Sequence, residues 1–418
     1  MKQHWIRYAF VMGVCVCLCG CRSDNYEVKR THTIQDEQRV NAQTMTEPRD
    51  INGSYQRVLS FSLELFSQNL EEKNPVISPI SAYIALAMAG EGADGDTRKE
   101  FEYVLGEDMQ SAPLDMMHRL PRAEEKMTLQ LANSVWIDDE MTEQANWRKL
   151  LENEYKAQVF RKPLEKEKTV EKMNDWVSEK THGMIPRMVE KPFKESDRFV
   201  LFNVLYFKAQ WQKKFDPTMT QKMTFTTEDG NERKVDMMRM SMEELRYVQS
   251  AGTEGVVLPY SDDNFVFMAM KPTDGKSVRE MYETLSENEI AEMLMQEETT
   301  LCNVRIPKFE VEFDKVLNDS LMYMGLATAF DPIRADFGKM TEDERQIFIS
   351  MVRQKAVVIV DEEGTEASAV TMVEMLDGCA LIEEEPKELY FDSPFLYVIA
   401  DKERKVPLFI GIIDEPDK

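Results

Sequence analysis

Few side chains that could do acid–base or nucleophilic chemistry stand in a pattern that would let them. Apart from His4, the histidines are His32, His118 and His182. None lies in HExxH and no GxSxG occurs, so the sequence spells neither a zinc-protease helix nor a nucleophile elbow. His118, His182 and Cys302 are too dispersed to suggest a metal site. Asp and Glu number 76 against 51 Lys and Arg, so the choice of any one carboxylate pair as catalytic is arbitrary. Gly90-Glu-Gly92-Ala-Asp-Gly95 spells GxGxxG, but a helical segment precedes it where a dinucleotide site needs a strand. It reads as a turn after a helix. Asp94 and Asp96 lack the rest of a calcium loop. The expectation is a protein that is not an enzyme and needs no metal or cofactor; a hydrolase of another class stays open as a rival without a visible centre.

The informative stretch is Glu362 to Met375, EEGTEASAVTMVEM. At period two, Thr365, Ala367, Ala369, Thr371, Val373 and Met375 form an uncharged set, small or β-branched in its first four members. Glu366 and Glu374 fall in the other set, with Ser368. That is the pattern of a strand with one face on a core. No Pro interrupts it, so every N–H is free to join a ladder. The flanks read as exposed loop: Glu362-Glu363-Gly364 before it, Asp377-Gly378 and Glu383-Glu384-Glu385-Pro386 after it. Such a segment could occupy two states, an exposed loop and an inserted strand. An ordinary surface strand of small residues is the plainer alternative.

The elements that would hold such a loop follow from the rest of the chain. Lys2 and Arg7 precede an apolar run from Tyr8 to Cys19, too short to span a bilayer as a helix, and residues 1–21 read as a secretory signal. Its end, Leu18-Cys19-Gly20-Cys21, resembles a bacterial lipobox, with Cys21 the lipidated residue and Cys19 a departure. A plain signal peptide with an incidental Cys fits the same residues. The expected localisation is export across the inner membrane, with a lipid anchor at the cell envelope or surface or release outside the cell. Residues 22–52 are polar, without an apolar period, and read as a flexible tether. Residues 53–418 read as one globular body without linker or repeat.

Within that body, Ile80–Ala89 has helical apolar character behind Ser78-Pro79. Leu201–Phe207, Val256–Leu258, Phe265–Met270, Ala356–Val360, Phe395–Ile399 and Leu408–Ile413 read as buried strands. Val304–Phe313 alternates as a strand, although Pro307 argues for a bulge or edge. The fold class is α+β. The formal net charge of −25 repels phosphate backbones and excludes nucleic acid as a partner. With Cys21 lipidated, Cys302 and Cys379 allow one disulfide at most, so this is not a disulfide-built fold.

The hinge segment resembles the reactive loop of the serpin family. Other blocks agree in the family's order: NPVISPISAYIALAMAGEGADGDT, LANSVWID, MNDWVSEKTHGMI, LFNVLYFKAQWQKKFDP, VRIPKFEVEF, MGLATAFDPIRADFGKM, SPFLYVIAD and VPLFIGII. The likeness covers about residues 53–418. It implies three β-sheets with about nine helices and an exposed reactive-centre loop, about residues 362–392. It also implies roles. The hinge would be Glu362, Glu363, Gly364, Thr365, Glu366, Ala367, Ser368 and Ala369. Ser78, Ser81 and Asn203 would line the region where the main sheet opens, with Gln354 where relatives often carry His. Trp211 would mark the top of the opening, and Glu362 would pair with Lys308 beside it. The family spacing puts the scissile bond at Gly378-Cys379, with Leu376 and Met375 the better side chains for a protease pocket. Cys379 is either a plain exposed thiol or a group whose oxidation alters the loop.

The resemblance implies a monomeric suicide substrate of a serine or papain-like cysteine endopeptidase. No Lys or Arg occurs between Thr365 and Glu385, so a trypsin-like target is excluded. The main sheet is expected to hold a gap for the loop. A non-inhibitory serpin acting as a binding protein is the alternative, although the inward hinge positions carry none of the charged or bulky residues such relatives tend to have.

Overall fold

The computed structural model describes residues 10–21, 51–343, 346–364 and 385–416. Among them are nine α-helices, from Ile51–Ser67 to Asn318–Tyr323, and strands gathered into two hydrogen-bonded sets. The α+β class expected from the sequence holds.

The main sheet has seven strands. Across it run Phe309–Val316, Gln346–Val360, Phe10–Cys21, Asp197–Ala209, Met127–Ile137 and Arg122–Ala123, with Gln158–Arg161 pairing parallel to Met127–Ile137. The second set has nine strands and is threaded by one long strand, Glu232–Ser250. Its first part pairs with Gln221–Thr226 and Thr299–Pro307. Its last part pairs with Thr253–Pro259, which leads on to Phe265–Pro272, Phe395–Asp401 and Val406–Ile413. The second and third of the three expected sheets are thus joined through that strand.

Pro307 divides the stretch expected as one strand. Thr299–Pro307 ends on it in the second set, and Phe309–Val316 begins an edge strand of the main sheet. Proline has no N–H for a ladder, so the chain changes sheets where a ladder bond is lost anyway. Lys308 is left at the crossing, its N–H bonded to the Asp236 carbonyl at 2.8 Å.

The helix Pro79–Gly90 starts as its sequence predicts, with Pro79 in the first turn, where a missing N–H costs nothing. All of its residues are buried. It lies against one face of the main sheet, in a core shared with Val14, Val16, Leu18, Leu201, Leu205 and Val352. The helix Glu167–Lys180 covers the other face, setting Val170, Met173, Trp176 and Val177 against Trp136, Val200, Phe202 and Val204, with Cys15 and Cys17 among them.

One expectation is overturned here. The place between Asp197–Ala209 and Gln346–Val360, expected as a gap, is filled by the chain's own N-terminal strand Phe10–Cys21, antiparallel to both neighbours. Length and total hydrophobicity alone do not tell such a run from a leader segment. At period two, Val14, Val16 and Leu18 face the main core and the small Cys15 and Cys17 face the covering helix, all five at 0–1% exposure. That is a strand buried on both faces, which reads as continuously apolar.

Candidate functional site

At the upper end of the slot the chain leaves Gln346–Val360 and turns back within four residues. Asp361 accepts from the Glu363 N–H at 2.9 Å, and the Gly364 N–H meets the Asp361 carbonyl at 3.3 Å. Gly364 forms β-bridges with both Asp361 and Gln210, so it already sits between the strands that flank the slot. Only glycine fits there. Its φ is +103°, and a Cβ would lie 2.4 Å from the Trp211 nitrogen and 2.7 Å from the Ala209 oxygen.

Trp211 closes this corner. It is 3% exposed and stacks on Tyr260 at 4.7 Å and 8°, with Phe267 edge-on at 5.6 Å. Its indole N–H donates to the Asp361 carbonyl at 2.8 Å, and its backbone N–H donates to Glu363 at 3.1 Å. Glu362 is nearly buried and accepts from Lys308 at 2.7 Å and from the Thr220 hydroxyl at 2.7 Å. Burial alone would push the Glu362 carboxyl up, but these two donors hold it below its ordinary value. Burial does raise Asp361, against the weaker opposing pull of the Glu363 N–H and the Lys308 charge. Lys214 pairs with Glu363 at 2.6 Å.

Removing the Lys308 charge tests this corner. In Lys308→Met the Glu362 carboxylate stays partly buried without its cation. Lys308 is 39% exposed, so the cost is screened to roughly 1 kcal/mol at pH 7. The Glu362 carboxyl is depressed in the folded chain, so its stabilisation is present above the unfolded value of about 4.3 and is lost as pH falls through the lower folded value. The melting-temperature gap between wild type and variant should therefore close on going from pH 7 to below about 4. A gap of equal size at both pH values would refute the assignment.

Further down the slot lies a second, fully buried cluster. The Gln354 amide donates to the Ser78 carbonyl at 3.0 Å, and the Ser78 and Ser81 hydroxyls lie 3.2 Å apart. The Asn203 amide donates to the Asn133 side chain at 2.7 Å, which in turn donates to the Tyr155 carbonyl at 2.7 Å. Gln354 Oε1 and Asn203 Oδ1 are buried with no hydrogen-bond partner among the described residues. Val14 of the N-terminal strand pairs in register with both of these residues. This level lies seven residues down from the bridges of Gly364, at Gln354 from Asp361 and at Asn203 from Gln210. Along a strand that is about 23 Å.

The residues expected at the opening therefore form two clusters. Trp211, Lys308, Glu362, Glu363 and Gly364 meet at the top; Ser78, Ser81, Asn203 and Gln354 meet at mid-sheet. Thr365, Glu366, Ala367, Ser368, Ala369, Met375, Leu376, Gly378 and Cys379 lie outside the described residues, as do residues 22–50 of the expected tether. Cys21 ends the N-terminal strand, its backbone opposite Gln346. Sequence reasoning missed Asn133 and Tyr260. A polar Asn133 amid the buried strand residues of LANSVWID was the available signal; nothing in the sequence marked Tyr260 as the stacking partner of Trp211.

Comparison with known proteins decides the family. A family model described as Serpin (serine protease inhibitor) matches residues 56–416. The chain belongs to the serpin family. An uncharacterized serpin-like protein of Methanosarcina acetivorans is 29% identical over 371 residues, 86% of this chain and 85% of its own length. Mouse alpha-1-antitrypsin 1-1 is 27% identical over 369 residues, 85% of this chain and 87% of its own. The crystal structure of the thermophilic serpin tengpin in its native state matches with a TM-score of 0.79 at 30% identity, over 91% of this chain and 96% of that one. Serpins as a family are protease inhibitors rather than catalysts.

Proposed function

We propose that this serpin is a suicide-substrate inhibitor that traps a serine or papain-like cysteine endopeptidase as an acyl-enzyme by inserting its cleaved reactive loop into the main sheet. One observation carries the reading: in the turn at Asp361–Gly364, Gly364 forms β-bridges with Asp361 and Gln210, the residues that follow the two strands flanking the slot. Continued residue for residue, that pairing brings Thr371 level with Gln354 and Asn203. A hydroxyl there brings one donor to the level of two buried amide oxygens that lack one among the described residues, and it can satisfy either of them. The same register puts Thr371, Val373 and Met375 on the face now taken by Val14, Val16 and Leu18, the face the uncharged alternation requires.

The chemistry belongs to the protease. Its Ser or Cys attacks the scissile carbonyl, the new amine departs with the proton, and the acyl group remains on the loop end that can enter the sheet. About 13 ladder hydrogen bonds at about 1 kcal/mol each favour insertion by on the order of 10 kcal/mol. A strand of that length carries the joined protease roughly 45 Å and presses it against the base, so its oxyanion hole no longer aligns and water cannot finish deacylation. Gly378-Cys379 is the bond we assign, with Leu376 and Met375 the alternatives for the pocket. The absence of Lys and Arg from Thr365 to Glu385 argues against a trypsin-like enzyme. The lipobox-like Leu18–Cys21 supports export and a lipid anchor on Cys21, and the protein acts as a monomer.

The test is incubation of chain lacking residues 1–20 with a panel of elastase-, subtilisin-, chymotrypsin- and papain-like proteases. Denaturing gels should show an adduct with one of these classes, and mass analysis should find a released C-terminal peptide beginning at Cys379. Cleavage of the loop by every enzyme, with no adduct to any, would refute the reading.

A further inference from the structure

We infer that the N-terminal segment Phe10–Cys21 is an intramolecular plug: it occupies the insertion slot of the main sheet and keeps the inhibitor silent until it is removed. The inference rests on the inhibitory reading above and adds a control to it. The strand lies between Asp197–Ala209 and Gln346–Val360 and runs antiparallel to both, which is the direction a chain returning from Gly364 must take. Its Val14 stands at the level that register assigns to the loop. Val14, Val16 and Leu18 fill the core side, and Cys15 and Cys17 are small enough to pass beneath Trp136, Met173 and Phe202. The sheet has one place here, bounded by hydrogen-bonded strands on either side. Two segments that need it exclude each other.

The plug is also the poorer occupant. Valine at position 14 has no hydroxyl, so Gln354 Oε1 and Asn203 Oδ1 stay without a donor. A segment that seals the slot but leaves two buried acceptors unmet is suited to being released. Hydrolysis of the Gly20-Cys21 bond, with water adding across it, would turn the plug from a tethered ligand into a separate peptide. Its effective concentration then collapses and the slot opens. Removal of residues 1–20 from chain that has folded without export would thus arm the inhibitor, and the folded full-length chain would be inert.

The experiment uses the full 418-residue chain, made without export so that its N-terminus is retained. Three readouts are compared: alkylation of Cys15 and Cys17 resolved by peptide mapping, the melting temperature before and after a nick in the reactive loop, and adduct formation. In the full chain both thiols should react slowly, the nick should not raise the melting temperature, and the protease should cut without forming an adduct. Val16→Lys, and separately Val14→Lys, puts a charge into the core and expels the strand. Alkylation should then accelerate at least about tenfold, the nicked form should melt higher than the intact one, and adduct should appear. Val16→Ile should behave as the full chain does. Cys15 and Cys17 reacting as fast in the full chain as in Val16→Lys, or equal adduct yields from the two, overturns the plug. Protected thiols in the full chain, with neither adduct nor a melting rise from the expelled variants or from chain lacking residues 1–20, instead refute the inhibitory reading. If a Lys variant does not fold, full chain unfolded in denaturant gives the reference rate for both thiols, so the thiol readout still decides.

Discussion

Replacing Thr365 with Arg is expected to turn the inhibitor into a substrate: loop cleavage continues, while the yield of covalent adduct falls at least about tenfold. Once the loop is cut, two processes compete, entry into the sheet and hydrolysis of the acyl-enzyme. Entry begins next to Gly364, at a point so closely bounded by the backbone of Ala209 and Trp211 that a methyl group on Gly364 would clash. Thr365 is the first side chain that must pass. By the parity linking Thr371 to Val14, it goes in on the core side. A guanidinium there must shed its water without a partner in place, at a cost of several kcal/mol. Each 1.4 kcal/mol added to the insertion barrier slows entry about tenfold and gives deacylation that much advantage. The measurement is the ratio of adduct to cleaved inhibitor on denaturing gels, with chain lacking residues 1–20. Thr365→Ser serves as the control that keeps a small side chain. An Arg variant with full adduct yield would mean that entry does not begin at this residue.

The sequence was most legible where one periodicity dominates a long segment. The helix Pro79–Gly90 and the strands Asp197–Ala209, Phe265–Pro272, Phe395–Asp401 and Val406–Ile413 each enclose the shorter stretch their patterns predict. Pro307 was read correctly as an interruption, but its consequence, a change of sheet, depends on which partner strands wait on either side, and no local pattern carries that. The pair Lys308–Glu362 and the mid-sheet cluster of Ser78, Ser81, Asn203 and Gln354 came from likeness to a family, not from spacing. Glu362 and Lys308 are 54 positions apart, and only the fold brings them within 2.7 Å. Asn133 went unread because a polar residue in a buried strand declares a need for a partner without naming it. The N-terminal run is plainly apolar, but a strand buried on both faces gives the same signal as a leader segment, and its pairing depends on partner strands that no local pattern names.

The second large effect is expected at Trp211. Trp211→Ala should destabilise the intact chain by about 3–5 kcal/mol, as truncation of a buried Trp does, and lower its melting temperature by about 4–6 °C. Three losses add up at one corner. The stacked face of Tyr260 and the edge of Phe267 lose their partner. The Asp361 carbonyl loses the indole N–H. The turn that holds Gly364 in the slot loses the ring behind it. One gain offsets them in part: the Tyr260 hydroxyl, buried without a partner among the described residues, can be reached by water in the space left behind. Trp211→Phe separates these contributions. It keeps an aromatic face on Tyr260 and removes the N–H donor, so it should cost only about 1 kcal/mol. The backbone N–H of residue 211, bonded to Glu363, survives in both variants and keeps the strand end in place. Thermal melts of the three chains in parallel give the comparison. If Ala and Phe were equally mild, the ring would be filling space that its neighbours can close, and the upper corner would owe its order to the backbone bridges of Gly364 alone.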